Sequence, residues 1–396
     1  MDLKDTDLVF LAGGRGTRIA NITKKIPKPL ITFYKIPFIK HLLNYYSKYN
    51  FKKIYILTGY KGNKFLIYNK KKINLIEIEC IKEKKKLGTG GALWQLKKKI
   101  KKDFILVNSD SFIDYNLDNF LKKKLKKNEL GKIILTKKYN YLSNKKLSKL
   151  GLNNNGKITY NGKLMNAGVY YFKKKIFKYL KNKNISLEQE ILPQLIQNNK
   201  VAGYKVNRFF IDIGTYKKLK LAKKYLIKYF KKKSAFLDRD GVINVDNGYI
   251  YKIKDFILKK NILKALKYLN KNNINIFIIT NQAGIAKNYF SEKIFIKFSK
   301  TIKNKLLKKK IYINDIRYCP YHPLAIIRKY KKKSNFRKPG NLMIEDIKKN
   351  WIIDKKKSFM IGDKISDELA AKKSKIYFEY VQNNIFKQVK RINSKK

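Results

Sequence analysis

The chain has 396 residues, 44% of them hydrophobic, so it is long enough for two folded domains and is not intrinsically disordered. Its 95 lysines and arginines against 27 acidic residues give a net charge of +68, which ordinarily suggests a nucleic-acid partner. The basic residues are instead spread from Lys4 to Lys396 among many Asn, Ile, Tyr and Phe residues, all with A/T-rich codons, as a genome-wide base bias produces. We therefore expect no nucleic-acid partner, although anionic, phosphorylated substrates would be attracted.

The two cysteines, Cys80 and Cys319, lie far apart in the sequence and imply no disulfide framework, which fits a reducing cytoplasm. The N-terminus lacks the basic start and long apolar core of a signal peptide. No apolar run approaches the roughly 20 residues of a membrane span. We expect a cytoplasmic protein without a membrane partner.

The first half alternates short apolar strands with helical segments. Strands are predicted at residues 7–12, 53–59, 104–110 and 132–138, and a helix at residues 38–49. This alternation indicates an α/β layered fold with a largely parallel sheet. His41 lies on the predicted helix, where we interpret it as a packed or surface residue rather than a catalyst.

A glycine-rich loop follows the first predicted strand and contains Gly13, Gly14, Arg15, Gly16 and Arg18. Glycines let backbone N–H groups surround phosphate oxygens, and the arginines supply charge. Lys28 lies ten residues beyond Arg18, between two prolines that fix an extended backbone and can aim its ammonium at the loop. The loop is neither a dinucleotide-binding G-x-G-x-x-G nor a P-loop.

AGGRGTR followed by PKPL resembles the sugar-phosphate nucleotidylyltransferases, which join a sugar 1-phosphate to an NTP and release pyrophosphate. Further segments follow in that family's order: LGTGGAL at 87–93, VNSD at 107–110, NAGVY at 166–170, LEQE at 187–190 and FIDIGT at 210–215. The resemblance covers Met1 to about Phe230.

This resemblance implies that Asp110 and Asp212 hold Mg²⁺ on the α-phosphate. It also implies that Arg18 meets the triphosphate and Lys28 the reacting phosphates, because in-line phosphoryl chemistry depends on positioning and charge neutralisation. The implied nucleotide contacts are Gly13, Gly14, Gly16 and Gly88, and the implied sugar contacts are Asn166, Gly168 and Glu188. Two alternatives stay open. The alternative role of Glu188 is that of an acidic residue at a helix start near Ser186. The alternative role of Asp212 is that of a turn former before Gly214.

The second half follows a predicted linker helix at residues 216–233 and opens with FLDRDGVIN at residues 236–244. The side chains of Asp238 and Asp240 would point to the same face at the end of a strand, because successive side chains alternate between the two faces. Two adjacent carboxylates favour a cation such as Mg²⁺. One carboxylate can attack phosphorus while the other manages the leaving group's proton. The alternative is a strand-to-turn junction that uses Asp for turn chemistry.

Later segments supply partners for these aspartates. Thr280 and Asn281 end a strand predicted at residues 275–279, RKPG at 337–340 carries Lys338, and SFMIGDKISD at 358–367 carries Asp363 and Asp367. Asp-x-Asp, Thr, Lys and GD-x₃-D in this order resemble the haloacid dehalogenase superfamily of phosphohydrolases. DRDGVINVDNGY with TNQAGIAK resembles the D-glycero-D-manno-heptose 1,7-bisphosphate phosphatases more closely, with histidinol-phosphate phosphatases as the nearest alternative.

By this second resemblance, Asp238 is the nucleophile that forms an aspartyl-phosphate, and Asp240 protonates the leaving oxygen and later activates water. Mg²⁺ is held by Asp238, Asp363 and the backbone carbonyl of Asp240, while Lys338 neutralises the transferring group. Thr280 holds a phosphoryl oxygen. The implied substrate contacts are Asp246, Tyr249, Asn281, Arg337 and Lys364. Asp367 either binds or caps the following helix.

One segment departs from the phosphatase pattern. Relatives commonly carry a zinc loop before the RKP motif, but here CPYHP retains only Cys319 and His322, with Tyr321 where a histidine is expected. Ser334 and Phe336 stand where two later cysteines are expected. Two ligands cannot close a tetrahedral structural site, so we expect no zinc.

Together the resemblances imply two α/β domains, each a mostly parallel sheet flanked by helices. Residues 1–230 would form a Rossmann-like nucleotidylyltransferase domain, and residues 234–392 a haloacid-dehalogenase-like Rossmannoid domain with a minimal cap. Removing the 7-phosphate of a heptose bisphosphate leaves the sugar 1-phosphate that a nucleotidylyltransferase consumes. We therefore expect a bifunctional, Mg²⁺-dependent enzyme of NDP-heptose synthesis for surface lipopolysaccharide, with GTP inferred from this pathway logic alone. The alternative is another sugar nucleotidylyltransferase joined to a different phosphatase.

Overall fold

The structure, a computed structural model, describes residues 3–137, 150–160 and 162–395. The chain divides into two compact units. The first contains Met1–Leu42, Phe51–Lys72 and Ile76–Tyr225, and the second contains Leu43–Asn50, Ile73–Leu75 and Leu226–Lys396. The division lies near the predicted linker, inside a helix, and the second unit also takes two short segments from the first half. None of the helices in the described ranges combines the length and apolar character that a membrane crossing requires.

The strands of the first half are short and mostly buried. They are β1 (Asp7–Leu11), β2 (Thr32–Phe33), β3 (Ile36–Pro37), β4 (Ile54–Thr58), β5 (Lys72–Ile73), β6 (Ile76–Lys82), β7 (Phe104–Asn108), β8 (Ser111–Ile113), β9 (Gly131–Lys137), β10 (Leu150–Leu152), β11 (Ile158–Tyr160), β12 (Leu164–Phe172), β13 (Val201–Val206) and β14 (Phe210–Asp212). The predicted strands at 7–12, 53–59 and 104–110 are present with slightly shorter bounds. The fourth, at 132–138, matches β9 except for Lys138, which lies outside the described residues.

The helices of the first half are α1 (Ala20–Thr23), α2 (Phe38–Ser47), α3 (Gly88–Trp94), α4 (Leu117–Lys122), α5 (Leu192–Gln197) and α6 (Tyr216–Phe230). A π-helix at Leu187–Ile191 precedes α5. His41 on α2 is buried, and its Nε2 lies 3.0 Å from the Phe33 carbonyl oxygen, so its interpretation as a packed residue holds. The linker helix ends at Phe230 rather than at residue 233, since the chain enters the next strand at Ser234.

The main sheet of the first half has, among the described residues, the strand order β11-β10-β12-β7-β1-β4-β6-β5, with β9 and β13 joined beside β12. Its centre is parallel, because β1 pairs in parallel with β4 and β7 and β4 pairs in parallel with β6. β12 runs antiparallel to β7 and β9, which the sequence did not predict. β1 reads DLVFL and is buried on both faces, as central parallel strands require.

The second half contains β15 (Ser234–Leu237), β16 (Asn275–Asn281), β17 (Asp315–Cys319), β18 (Phe359–Gly362) and β19 (Tyr377–Tyr380). Its helices are α7 (Ile262–Lys271), α8 (Ala283–Ala286), α9 (Glu292–Lys308), α10 (Leu342–Asn350), α11 (Ile365–Lys373) and α12 (Ile385–Lys395). The five strands form a sheet of order β17-β16-β15-β18-β19, in which every pairing is parallel. Both halves therefore have the predicted α/β class, and the glycine-rich loop, Asp110, Asp238 and Asp363 follow the carboxyl ends of parallel strands, where open α/β sheets bind ligands.

Candidate functional sites

A cavity of about 510 Å³ lies at the carboxyl ends of β1, β4 and β7 in the first half. The predicted residues that line it are Gly13, Gly14, Lys28, Gly88, Asp110 and Glu188. The glycine-rich loop enters it after β1, and Asp110 follows β7 by two residues. The glycine-rich loop, PKPL, LGTGGAL, VNSD and LEQE thus contribute to a single cavity, whereas no residue of NAGVY or FIDIGT is among its described lining residues.

Lys28 and Asp110 meet inside this cavity. Lys28 Nζ lies 2.7 Å from Asp110 Oδ2, with the lysine side chain 10% exposed and the aspartate side chain 37% exposed. Gly16, at the end of the loop, has a φ of 67°, and a Cβ there would lie 3.3 Å from Lys28 Cε. Glycine is therefore needed both for the backbone conformation and for the close approach of the lysine stem.

Asp212 lies on the strand that pairs with the segment after Asp110. Register places Asp212 opposite Ser111, and the Ile213 N–H donates to the Asp110 carbonyl at 2.9 Å. Asp212 Oδ1 accepts from the Gly214 N–H at 2.9 Å, which matches the turn-forming alternative, while Oδ2 contacts the ammonium of Lys218. Arg18 lies beside this turn, since a Cβ on Gly214 would lie 3.1 Å from its Nη2.

Glu188 is turned into the cavity, although it follows the helix-capping Ser186 as the alternative expected. Its Oε2 accepts from Thr89 Oγ1 at 2.6 Å, and its Oε1 lies 3.4 Å from the hydroxyl of buried Tyr170. Asn166 donates to that hydroxyl at 2.8 Å. The carboxylate is therefore held in place by neighbouring donors, as a receptor for sugar hydroxyls requires.

Glu83 also lines this cavity and carries no motif that sequence reasoning found. Its Oε2 accepts from the Leu87 N–H at 3.1 Å, while Oε1 lies 2.8 Å from the position a Cβ would take on Gly13. Burial raises the pKa of its carboxyl, which the hydrogen bond from Leu87 opposes. An acidic side chain among the three lysines Lys84, Lys85 and Lys86 is the chemical exception in this wall of the cavity.

The first cavity offers donors that suit Mg²⁺. Asp110 presents a partly exposed carboxylate, and the buried Asn108 Oδ1 has no hydrogen-bond partner. Carboxylate and amide oxygens are the ligands that Mg²⁺ takes in proteins, usually together with substrate phosphates. The residues present therefore fit the predicted cation.

In the second half, Asp238, Asp363 and Asp367 form a cluster whose ligand oxygens all lie within 4.8 Å of one another. Asp238 follows β15, and Asp363 follows β18, the strand paired in parallel with β15. Lys338 Nζ lies 2.9 Å from Asp238 Oδ1 and also contacts Asp367 Oδ1. Lys338 thus bridges two of the three carboxylates.

Burial controls the electrostatics of this cluster. It raises the pKa of Asp238 to about 7, with Lys338 opposing the shift and Asp367 adding to it. Burial opposes the charge on Lys338, but Asp238 and Asp367 outweigh it and raise the lysine's pKa. The buried Asp363 Oδ1 has no hydrogen-bond partner. Surplus carboxylate charge around an unpartnered oxygen fits a divalent cation, which Asp238 and Asp363 would hold.

Asp367 caps the following helix, as one of its two alternatives expected, while its binding role stays a prediction. Its Oδ2 accepts from the Lys364 N–H at 3.1 Å, which caps the start of α11, while Oδ1 meets Lys338. Asp367 is fully buried, so both contacts are shielded from water.

The carboxylate of Asp240 pairs with a different cation, the guanidinium of Arg239. Arg239 Nε and Nη2 both donate to its carboxylate, with Nη2 2.7 Å from Oδ2. Gln282 Nε2 adds a hydrogen bond at 3.1 Å, and it also donates to Thr280 Oγ1 at 2.9 Å. Arg239 is buried, with its guanidinium over the rings of Phe295 and Phe298. Sequence reasoning missed both Arg239 and Gln282, although Arg239 stands between the two aspartates.

The predicted substrate contacts of the second half differ in what their side chains already bind. Asp246 and Lys364 come together, with Oδ2 and Nζ 3.0 Å apart, and Tyr249 is exposed. Asn281 instead uses both amide atoms on the backbone of Lys338, each at 3.0 Å. Buried Arg337 Nη1 has no hydrogen-bond partner, which leaves that donor for a ligand.

The segment that departs from the phosphatase pattern is packed by aromatic contacts. Cys319 is buried in the core, and His322 Nδ1 accepts from the Leu324 N–H at 3.1 Å. The Lys332 ammonium lies 3.9 Å from the Tyr321 ring centroid, and Tyr330 donates to Glu292 at 2.9 Å. The expectation of no zinc stays a prediction.

Comparison with known proteins assigns each half. The model of the nucleotidyl transferase family matches residues 8–228, and that described as polynucleotide kinase 3 phosphatase matches residues 235–386. A D-glycero-alpha-D-manno-heptose-1,7-bisphosphate 7-phosphatase of Photorhabdus laumondii is 42% identical over 146 residues, which cover 37% of this chain and 80% of that protein. The chain belongs to the nucleotidyl transferase and heptose-bisphosphate 7-phosphatase families.

Some similar phosphatases are named for the alpha anomer of the heptose bisphosphate and others for the beta anomer. The D-glycero-beta-D-manno-heptose-1,7-bisphosphate 7-phosphatase of the same organism is 39% identical over 143 residues, which cover 36% of this chain and 76% of that protein. For the nucleotidyl transferase half, HddC from Yersinia pseudotuberculosis is a similar solved structure, with 25% identity and a TM-score of 0.48, covering 56% of this chain and 99% of HddC. Membership in both families makes the chain an enzyme with two active sites.

Proposed function

We propose that the protein carries out two consecutive steps of NDP-heptose synthesis. The second half hydrolyses the 7-phosphate of D-glycero-D-manno-heptose 1,7-bisphosphate, and the first half joins the resulting heptose 1-phosphate to a nucleotidyl group, with release of pyrophosphate. The observation that carries the proposal is that one chain holds a carboxylate–lysine site at the sheet edge of each half, in two families whose substrates connect. A cytoplasmic location and a role in surface lipopolysaccharide follow from this assignment.

In the phosphatase half, an oxygen of Asp238 attacks the 7-phosphorus, and the bond from phosphorus to the sugar oxygen breaks. Asp240, oriented by Arg239, donates a proton to the leaving oxygen and then takes a proton from the water that hydrolyses the aspartyl-phosphate. Lys338 balances the charge of the transferring group, and Thr280 holds one of its oxygens. Mg²⁺, held by Asp238, Asp363 and the Asp240 carbonyl, would neutralise phosphate charge when bound.

In the nucleotidyl transferase half, a phosphate oxygen of the sugar 1-phosphate attacks the α-phosphorus of the NTP, and pyrophosphate leaves. Lys28 and Arg18 neutralise the phosphates, while the loop glycines admit backbone N–H groups to their oxygens. Glu188 orients the sugar through its hydroxyls. Asp110, with Asp212 as the second predicted ligand, would hold Mg²⁺, which supplies further charge neutralisation.

Glu83 supports GTP as the nucleotide. An ionised carboxylate is purely an acceptor, and guanine is the common base that presents two adjacent donors, N1–H and the 2-amino group, on one edge. Glu83 lines the cavity beside the glycine-rich loop, with Oε1 2.8 Å from the position of a Cβ on Gly13, while its Oε2 accepts from the Leu87 N–H. The structure thereby adds a residue to an assignment that otherwise rests on pathway logic.

The proposal is tested by incubating the full chain with α- or β-heptose 1,7-bisphosphate, Mg²⁺ and each NTP separately. We expect phosphate release with every nucleotide and pyrophosphate release mainly with GTP. Glu83→Gln should reduce the preference for GTP over the other nucleotides by roughly 10-fold, the discrimination that one good pair of hydrogen bonds provides. Phosphate release from histidinol phosphate, or pyrophosphate release with a different sugar phosphate alone, would replace the heptose assignment.

A further inference from the structure

The carboxylate of Asp212 is already occupied by groups of its own half. Oδ1 accepts from the Gly214 N–H at 2.9 Å, and Oδ2 lies 2.5 Å from Lys218 Nζ. The Lys218 side chain is 8% exposed and the Asp212 side chain 18% exposed, so the pair is largely shielded from water. A shielded ion pair is costly to separate, because each partner would be left as an isolated buried charge.

Local structure explains how this lysine reaches the aspartate. Asp212 ends β14, the chain turns at Gly214, and α6 begins at Tyr216. The Lys218 N–H donates to Thr215 Oγ1 at 3.3 Å, which caps the helix and sets Lys218 in its first turn. Its neighbour Lys217 is exposed. Among the 95 basic residues of the chain, Lys218 is therefore selected by position rather than by composition.

Asp110 differs from Asp212 in its surroundings. Asp110 lines the cavity and its side chain is 37% exposed, twice the exposed fraction of Asp212. Its lysine, Lys28, also lines the cavity, so incoming phosphates can draw that ammonium away from the carboxylate. Neither Asp212 nor Lys218 is among the described residues that line the cavity.

We propose that Lys218 is the resident counter-ion of Asp212 and competes with a divalent ion for that carboxylate. The inference rests on the proposed nucleotidyl transfer. In the nucleotide-free protein, the first half then presents Asp110 as its available carboxylate ligand. An ammonium tethered to the same half has a high effective concentration at Oδ2, so it lowers the apparent affinity for the ion. The nucleotide's phosphates supply the remaining oxygens, and the ion enters as its nucleotide complex.

The test is a Mn²⁺ titration of nucleotide-free, full-length protein, followed by electron paramagnetic resonance. Asp363→Asn serves as the common background, because it weakens ion binding in the second half. In that background Lys218→Met should bind Mn²⁺ about 10-fold more tightly, whereas Lys217→Met, the exposed neighbour on the same helix, should stay within 2-fold of the parent. Lys218→Arg, which keeps a cation, should not show the gain.

Asp212→Asn completes a double-mutant cycle. Alone it should leave Mn²⁺ affinity within 2-fold of the parent, and combined with Lys218→Met it should remove the gain. The proposal is overturned if Lys218→Met binds no more tightly than Lys217→Met, or if Asp212→Asn weakens binding as much as Asp110→Asn. Should Lys218→Met fail to fold, as thermal unfolding would reveal, the comparison of Asp212→Asn with Asp110→Asn still decides.

Pyrophosphate release by the unmutated chain separates this inference from the function on which it rests. If no pyrophosphate is released with any NTP, the proposed transfer fails, whatever the Mn²⁺ titrations show. If pyrophosphate is released and the Lys218→Met gain is missing, the counter-ion proposal alone fails.

Discussion

The two acidic sites handle carboxylate charge in opposite ways. In the first half each aspartate has its own lysine, Lys28 for Asp110 and Lys218 for Asp212. In the second half Asp238, Asp363 and Asp367 form one cluster, in which Lys338 contacts Asp238 and Asp367. Each aspartate of the first pair therefore has a counter-ion before substrate arrives, while the second cluster holds three carboxylates of which Lys338 contacts two. The second cluster consequently has the greater need of a cation.

The sharpest way to break this comparison is to remove one carboxylate from each site. Asp238→Asn should lower phosphate release by roughly 10³-fold or more, because the amide cannot act as the nucleophile. It should spare pyrophosphate release from supplied heptose 1-phosphate. Asp110→Asn should do the reverse, with a loss of about 10²- to 10³-fold from weakened charge neutralisation.

Each of these variants is the control for the other, with phosphate and pyrophosphate measured on the same preparations. A folded variant that lost both activities would contradict the independence of the sites.

Arg239→Met should lower kcat for phosphate release by about 10- to 100-fold. Without the guanidinium the Asp240 carboxylate loses the hydrogen bonds from Arg239, and only those from Gln282 and Asn244 remain. Pyrophosphate release should not change. Arg391→Met is the matched control, since Arg391 of α12 pairs with Glu379 of β19 rather than with an aspartate of the site. Equal losses in the two variants would indicate a general effect on stability rather than a role at Asp240.

Mg²⁺ without nucleotide should raise the melting temperature of the second half. A ligand present at 100 times its Kd stabilises a protein by about 2.7 kcal/mol, which corresponds to several degrees for a domain of this size. Asp363→Asn should abolish the shift, and Asp110→Asn should keep it, as followed by thermal unfolding with and without a chelator. An equal shift in both variants would contradict the difference in charge between the sites.

The smallest expected effect concerns the stability of the first half outside its site. Burial lowers the pKa of His41 to about 4, against hydrogen bonds to the Phe33 and Ile36 backbone, while the unfolded residue titrates near 6.5. Between these values the unfolded chain binds more protons, so stability falls as pH decreases from about 6.5 towards 4, by at most about 3 kcal/mol.

The check is denaturant unfolding at several pH values within that window. His41→Gln should show a weaker pH dependence than the unmutated chain. His322→Gln, which replaces a histidine with little burial, should not. Identical pH dependence in all three proteins would contradict a buried, neutral His41.

The sequence predicted most of both sites because their residues follow strand ends at fixed motif spacing. Gly13, Lys28, Asp110 and Glu188 meet in one cavity as the segment order implied, since parallel strands bring their carboxyl ends to the same edge. The roles assigned to these residues, and the domain bounds at 230 and 234, stay predictions.

What the sequence missed depends on burial and on distant packing. The sequence did not distinguish Lys218 from the many other lysines. Its contact with Asp212 can be inferred only when the turn at Gly214 and the start of α6 are known. Glu83 precedes three lysines and reads as part of a charged loop. Arg239 was visible between two aspartates. The rings of Phe295 and Phe298 that its guanidinium packs against, however, come from a helix more than 50 residues further along the chain. The antiparallel course of β12 was missed because antiparallel and parallel neighbours give the same apolar pattern.

Asp367 ties the beginning of α11 to the lysine of the phosphatase site, with one carboxylate oxygen on each. Heat that frays the first turn of this helix must also release Lys338 from one of its two anchors. Inactivation of the phosphatase half should consequently begin when this turn frays, at or below the temperature at which the half melts. The carboxylate that begins a helix thus couples the stability of that helix to the catalytic lysine.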